Sequence, residues 1–523
     1  MKNYDEIEKI VSQYPLQQFW FDETKLKNEL QRLKSFRSTI IREISITDPK
    51  QGWLNHAKNL LNDDMSVEIE NRYPSYSHPR LVIFDNNREI IEFTHPQSDR
   101  VSFVSAYELS NVPEDEFFTK YIQIIAKKYL KNLQDCICKS LRKNQKTICF
   151  ITRRCFFVVK KIAYELRKKG HFCILITIED LINPDDYKDS FDIILGGLDS
   201  YLFVNIALNS IDIDICYVQC MMWDYGLAKI VSSHSKTKKL VCEFYDITGL
   251  YANADKLKLL WPDELVEADL YYENFIFNEA NLILSRFNSS IINEYRGQLV
   301  DKHAEIQPTT SKTKSPEEPS DDEISSPPRL VYLGNIIPRN ENHPRSLFPL
   351  WGMPEAWQSL LEQGLEIHVY NSPFRKLNEP GMEPIIELSK NFENLKFHEG
   401  LPHKDIINEI TKYDFGIILT VVDLDKNENS ELLWRGAMGT KLLTYLEGGL
   451  PVIINKEFVA MSSLVERNQL GFSVASDEIN QIAKQISGID YQEVRANVTK
   501  FNDKNTFEQF NREALIKVEA LLR

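Results

Sequence analysis

Gly436-Ala-Met-Gly-Thr-Lys-Leu-Leu-Thr-Tyr-Leu-Glu-Gly-Gly-Leu-Pro-Val-Ile-Ile-Asn455 is the stretch on which the reading of this chain turns. Small residues lead to Gly439 and Thr440, and the spacing that follows predicts a short helix from Lys441 to Glu447. Gly448 and Gly449 stop it, Pro451 prevents its resumption, and Val452-Ile-Ile454 reads as a buried strand. A loop running into a helix N-terminus presents unpaired N–H groups and the positive end of the helix dipole, which is how proteins hold phosphate. Lys441 stands in the first turn, where the dipole alone favours an acid. A cation there makes sense when an anionic ligand is also bound, so the loop points to a nucleotide diphosphate site.

The flanking sequence repeats the strand–helix alternation. Arg329-Leu-Val-Tyr-Leu333, Leu365–Tyr370, Leu395–Phe397, Phe415–Leu419 and Pro451–Ile454 read as strands, with helices at Pro354–Gln363, His403–Lys412 and Lys441–Glu447. Earlier strands are predicted at Thr147–Ile151, Phe172–Thr177, Phe191–Leu195, Ile213–Val218, Lys239–Phe244 and Ala280–Ser285, with a helix at Cys155–Lys169. Continuous apolar strands alternating with helices indicate parallel sheets covered on both faces. The fold class is therefore α/β, with two Rossmann-like doubly wound domains at 145–300 and 329–500. Residues 301–328, rich in Pro, Ser, Thr and acids, read as a flexible linker, and 501–523 as a C-terminal helix. Residues 1–144 read as an accessory α+β region with helices at Glu23–Glu43 and Glu114–Arg142. A hairpin is expected there, pairing Arg80–Phe84 with Glu89–Phe93.

The chain has 523 residues and a formal net charge of −14, which argues against general nucleic-acid binding. The 8 cysteines lie between Cys136 and Cys242, mostly in apolar strand-like runs, and read as buried reduced thiols. The polar N-terminus has no signal-like apolar core, and no apolar run reaches about 18 residues. A cytoplasmic protein is expected, at most peripheral on a membrane face. Lysines and arginines between Lys127 and Lys169 stand out against the acidic whole; they read first as solvated helix faces, with contact to an anionic membrane as the alternative.

The two-domain plan and the opening motif together resemble the GT-B glycosyltransferases, especially the retaining group that uses nucleotide sugars. Gly439-Thr-Lys-Leu-Leu-Thr-Tyr and Gly449-Leu-Pro-Val452 carry the likeness. Leu333-Gly-Asn335, Asn394–Gly400, Tyr413–Leu419, Phe244-Tyr-Asp246 and Asn278–Ser285 add to it. The resemblance covers about residues 147–500. It implies a sugar transferred from a nucleotide diphosphate sugar to a glycan, lipid-linked or protein acceptor, with no cofactor and no metal. The sequence departs from the group at two places. The expected Glu-x7-Glu pair is missing, with Thr444 where its second acid belongs and Gly436 eight residues earlier. The Gly-rich acceptor loop is replaced by Thr152-Arg-Arg-Cys-Phe156.

Donor-binding candidates are Gly334, Asn335, Arg339, Gly439, Thr440, Lys441 and Thr444, with Arg345 as a further cation. Gly334 suits a close approach of backbone to phosphate; Thr440 reads alternatively as a plain helix cap. Asp246 and Asp224 are the catalytic candidates on the acceptor side, since a transferase orients an acceptor hydroxyl. His234, His398 and His403 are weaker candidates. Two other readings stay open: a non-catalytic nucleotide-sugar-binding or partner subunit, and a sugar-nucleotide epimerase of the same fold. Oligomeric state is not legible.

Overall fold

The computed structural model describes residues 65–70, 80–85, 88–94, 145–177, 184–195, 208, 212–222, 225–232, 238–259, 263–309, 323–336, 350, 352–371, 377–378, 381–422 and 430–523. The helices expected at 23–43 and 114–142 lie outside them, as do Asp224, His234, Arg339 and Arg345. Among the described residues no helix is long and apolar enough to cross a membrane.

Strands β1 (Met65–Glu70), β2 (Arg80–Asp85) and β3 (Arg88–Thr94) form an antiparallel three-stranded sheet. The expected hairpin is there, with Asp85 opposite Arg88 and Leu81 opposite Phe93.

The next sheet contains β4 (Thr147–Thr152), β5 (Phe172–Thr177), β6 (Ile193–Leu195), β7 (Ile215–Cys220), β8 (Leu240–Phe244), β9 (Leu282–Ser285) and β10 (His303–Glu305). Its seven strands run in the order β10-β9-β8-β7-β4-β5-β6, and the registered pairs are parallel. Every residue of β4, β5 and β7 is buried, as expected of strands sandwiched on both faces. Helix α1 (Phe157–Lys168) covers the sheet with Val158, Val159, Ile162, Ala163 and Leu166. It ends before Gly170, whose φ of +92° is a glycine conformation.

The last sheet contains β11 (Arg329–Leu333), β12 (Glu366–Tyr370), β13 (Leu395–His398), β14 (Phe415–Ile418), β15 (Val452–Asn455) and β16 (Gly471–Val474). The six strands run in the order β13-β12-β11-β14-β15-β16, all registered pairs parallel. Strand side chains alternate between faces, and the core divides accordingly. Leu330, Tyr332, Ile417 and Ile453 pack with Trp357 and Leu360 of helix α2 (Met353–Glu362). Val331, Ile418, Val452 and Ile454 pack with Leu442, Leu443 and Tyr445 of helix α3 (Thr440–Glu447). Helices on both faces make the sheet doubly wound, as expected.

Two expectations need adjusting. The segment from Asp301 is not linker throughout: His303–Glu305 pairs in parallel with β9, and Ile306, Gln307 and Thr309 are buried. A short apolar run there is averaged away by the Pro- and acid-rich composition around it. The C-terminal helix is broken into Tyr491–Lys504, Phe507–Phe510 and helix α4 (Arg512–Ala520), because a capping box at Thr506 and Gln509 starts a new helix after Asn505. The chain packs as two compact units, residues 1–243 with 267–281 and 521–523, and residues 244–266 with 282–520. The second unit thus takes in residues 244–266 and β9, beyond the expected 329–500.

Strand order locates the ligand-binding edge of the last sheet. The chain steps outward from β11 to β12 to β13, then returns to place β14 on the other side of β11. Such a reversal opens a crevice beyond the carboxyl ends of the two strands, where ligands of open α/β sheets bind.

Candidate functional site

The residues at that crevice all belong to the second compact unit. Strands β11 and β14 pair only at Leu330–Phe415 and Val331–Gly416 before they diverge. Tyr445 bridges the gap: its hydroxyl accepts from Leu333 N–H at 2.9 Å and donates to Ile417 O at 3.2 Å. The ring fits because residue 416 is glycine; a Cβ there would lie 2.3 Å from it. Gly416 and Tyr445 together set the shape of the crevice, a role that the sequence pattern concealed behind ordinary core positions.

Helix α3 enters from the loop at 437–439. Gly439 occupies the N-cap position without a side-chain cap, its N–H lies 3.0 Å from Met461 Sδ, and Thr440 is the first helical residue rather than the cap. At the other end, Gly449 N–H bonds Leu446 O and Leu450 N–H bonds Tyr445 O, with Gly449 at φ +72°. This is a Schellman closure, and it ends the helix at the glycine pair that was expected to stop it.

Lys441 extends from the first turn of α3 across Gly334, immediately after β11. A Cβ on Gly334 would lie 3.2 Å from Lys441 Cε and 3.4 Å from Nζ, and Gly334 has φ +95°. The absent side chain makes room for the lysine. The Gly334 N–H itself donates to Tyr370 O at 2.9 Å, so what this glycine supplies is space rather than a donor. Asn335 is exposed, and its carbonyl accepts from Tyr332 OH at 2.7 Å. Lys441 Nζ sits 5.4 Å from the centre of the Tyr332 ring, and among the described residues no carboxylate pairs with it. Burial, and then the Arg286 charge, push its pKa down to about 8.

Arg286, one residue beyond β9, is the cation that the sequence reading did not single out. Its Nε donates to Tyr245 O at 2.9 Å, its Nη2 donates to Asp246 Oδ1 at 2.6 Å, and its guanidinium lies 4.5 Å from the Tyr245 ring centre. The Arg286 carbonyl accepts from Gln307 Nε2 at 2.7 Å. The same Asp246 oxygen accepts from Tyr251 OH at 2.9 Å. Asp246 is thus the counter-ion of Arg286. The available signal for Arg286 was its place directly after the buried run Ala280–Ser285.

Thr444, on the same helix, donates its hydroxyl to Thr440 O at 3.0 Å, so its hydrogen is committed inside the helix. His398 Nε2 lies 2.8 Å from His368 Nδ1, with its ring stacked 4.5 Å from Tyr370. Glu366 Oε1 lies 2.7 Å from His368 Nε2. His403 begins a helix (His403–Glu409), with Nε2 3.5 Å from Glu447 Oε2.

The seven-stranded sheet also has a strand reversal, between β4 and β7. There the loop that replaces the Gly-rich turn is held by Gln219, whose Oε1 accepts from Thr152 Oγ1 at 3.3 Å and from Phe156 N–H at 3.4 Å. Gln219 Nε2 donates to Glu243 Oε1 at 3.1 Å, and Tyr217 OH donates to Glu243 Oε2 at 2.6 Å. Gln219 and Glu243 are both buried. A neutral amide holds the loop that enters α1, with a carboxylate behind it, in contrast to the cation at Lys441.

Comparison with known proteins agrees with this architecture. Residues 370–518 match the family described as Glucosyltransferase 3-like, C-terminal domain. The glycosyltransferase of Rickettsia africae ESF-5 is similar in structure, with TM-score 0.50 and 13% identity, covering 73% of this chain and 100% of that one. Anabaena HepE, solved in complex with UDP and glucose, is similar with TM-score 0.52 and 13% identity, covering 72% of this chain and 100% of its own. No curated protein matches by sequence. The chain has the GT-B fold of glycosyltransferases. Its C-terminal part, residues 370–518, is similar to a glucosyltransferase domain family.

Proposed function

We propose that the protein is a glycosyltransferase that takes a sugar from a nucleotide diphosphate sugar, and that the crevice between β11 and β14 holds the donor diphosphate. The observation that carries this reading is the Lys441 ammonium. It is placed over Gly334 at the strand reversal, with no carboxylate partner among the described residues. Holding a cation partly out of water lowers its pKa and costs stability, and an arriving diphosphate removes that cost. When the bond from the sugar's anomeric carbon to the diphosphate breaks, negative charge collects on the leaving oxygen. Lys441, the N-terminus of α3 and the Arg286 guanidinium then stabilise it more than they stabilised the intact donor. The acceptor is a glycan, a lipid-linked sugar or a protein.

UDP, GDP, ADP and CDP are each to be tested for thermal stabilisation. The donor sugars of the best binder are then assayed for slow hydrolysis. Stabilisation by one nucleotide, with hydrolysis abolished in Lys441→Ala, supports the proposal; no binding by any of them overturns it. Thr444 favours a second reading. It stands where the retaining group has an acid, and its hydroxyl hydrogen is committed to Thr440. Binding without turnover across acceptors would identify a nucleotide-sugar-binding partner subunit.

A further inference from the structure

We infer that Asp246 and Tyr251 are positioning residues for Arg286, which they hold as the second phosphate-facing cation; this rests on the diphosphate reading of the crevice. Contacts that restrain the guanidinium include Tyr245 O on Nε at 2.9 Å, the Tyr245 ring at 4.5 Å and Asp246 Oδ1 on Nη2 at 2.6 Å. The first two come from residue 245 and fix the plane of the group. Asp246 sets its rotation in that plane, and Asp246 is itself fixed by Tyr251 OH at 2.9 Å on the same oxygen. Tyr251 closes a short helix (Thr248–Tyr251) that starts two residues after Asp246, so donor and acceptor sit on one local turn. Burial and the neighbouring Asp246 raise the Tyr251 hydroxyl well above its ordinary pKa, so it stays a donor throughout the working range. A planar cation aimed by a carboxylate suits bidentate phosphate recognition, which a point charge such as Lys441 does not supply. Arg286 is also felt electrostatically by Lys441, whose pKa its charge lowers after burial.

A general base at Asp246 makes a different prediction. As a base, it would be needed for turnover and irrelevant to diphosphate affinity. As a positioning residue, it is needed for affinity with no acceptor present. The test is calorimetric titration of the full-length protein with inorganic pyrophosphate, with the nucleoside diphosphate that stabilises it best, and with the matching nucleoside. Asp246→Asn keeps size and one acceptor but removes the charge, and Tyr251→Phe removes the hydroxyl alone. The expected result is a Kd for pyrophosphate and nucleoside diphosphate raised about tenfold or more in Asp246→Asn and about three- to tenfold in Tyr251→Phe. Nucleoside affinity stays unchanged, which a general loss of structure would not allow. Restoring the carboxylate as Asp246→Glu recovers part of the loss. Wild-type pyrophosphate affinity in both Asp246→Asn and Tyr251→Phe would overturn the inference, while weakened binding in Lys441→Ala alone would leave the diphosphate reading standing. Unchanged affinity in Lys441→Ala as well would overturn both.

Discussion

Replacing Lys441 by Met keeps the apolar stem of the side chain as far as Cε and removes the charged amine, so it separates binding from packing. A hydrogen bond from an ammonium to a phosphate oxygen is worth about 1.5–3 kcal/mol net. At about 1.4 kcal/mol per tenfold, Lys441→Met raises the Kd for a nucleoside diphosphate about 10- to 150-fold. The pH dependence follows from the pKa of about 8 in the unliganded protein. A bound diphosphate raises that value, so affinity is flat below pH 8 and falls about tenfold per unit above it. In Lys441→Met the profile is flat. The stability effect has the opposite sign. The folded-state pKa lies below the unfolded value of about 10.4, so the unfolded chain holds this proton more tightly. Folding is therefore penalised below pH 8, and the penalty fades as pH rises towards the unfolded value. Its ceiling is about 3 kcal/mol, and the water reaching this half-buried ammonium brings it below that. Lys441→Met should accordingly melt higher than wild type at pH 7 without ligand and lose that advantage near pH 10. Calorimetric titration at pH 7 and 9, with thermal unfolding across the same range, reads both effects. A variant that binds as tightly as wild type, with the wild-type pH profile, refutes the assignment of Lys441.

Other residues give independent checks. Gly334→Ala combines a φ of +95° with a Cβ 3.2 Å from Lys441 Cε; it should cost about 1–3 kcal/mol of stability and weaken diphosphate binding, both measurable by denaturant unfolding and titration. Gly416→Ala, with its Cβ 2.3 Å from the Tyr445 ring, should cost about 1–3 kcal/mol or more by overpacking, and an unchanged denaturation midpoint would contradict the packing. Tyr445→Phe leaves Leu333 N–H and Ile417 O without their bridge and should cost about 1–3 kcal/mol. His303, between Ser285 Oγ and Ser289 Oγ at 2.9 Å each, has its pKa pushed down to about 4, first by burial. Because the folded value is below the unfolded one, stability contributed by neutral His303 is present above about pH 6.5 and lost as pH falls towards 4, about 3 kcal/mol in all. His303→Gln should flatten that part of the stability profile.

The sequence made the last sheet legible because its signals are local. Continuous apolar strands, a glycine pair and a following proline each act within a few residues, and the run from Gly436 to Asn455 folds as its chemistry requires. Lys441 was legible for the same reason, as a cation in a helix turn that prefers an acid. Arg286 was not, because its meaning depends on Asp246, Tyr245 and Lys441, distant in sequence. Asp246 was legible as a strand-end acid, but its ion pair with Arg286 was not. Tyr445 looked like any core aromatic, since only the divergence of β11 and β14 gives its hydroxyl two backbone partners. The strand β10 was hidden by averaging a short apolar run with the acidic, Pro-rich sequence after it.

The most direct test is a crystal structure of the protein with the nucleoside diphosphate that stabilises it most. The account predicts a phosphate oxygen within hydrogen-bond distance of Lys441 Nζ, beside Gly334 and facing Arg286. A nucleotide bound elsewhere, with Lys441 still resting on Tyr332, would contradict it.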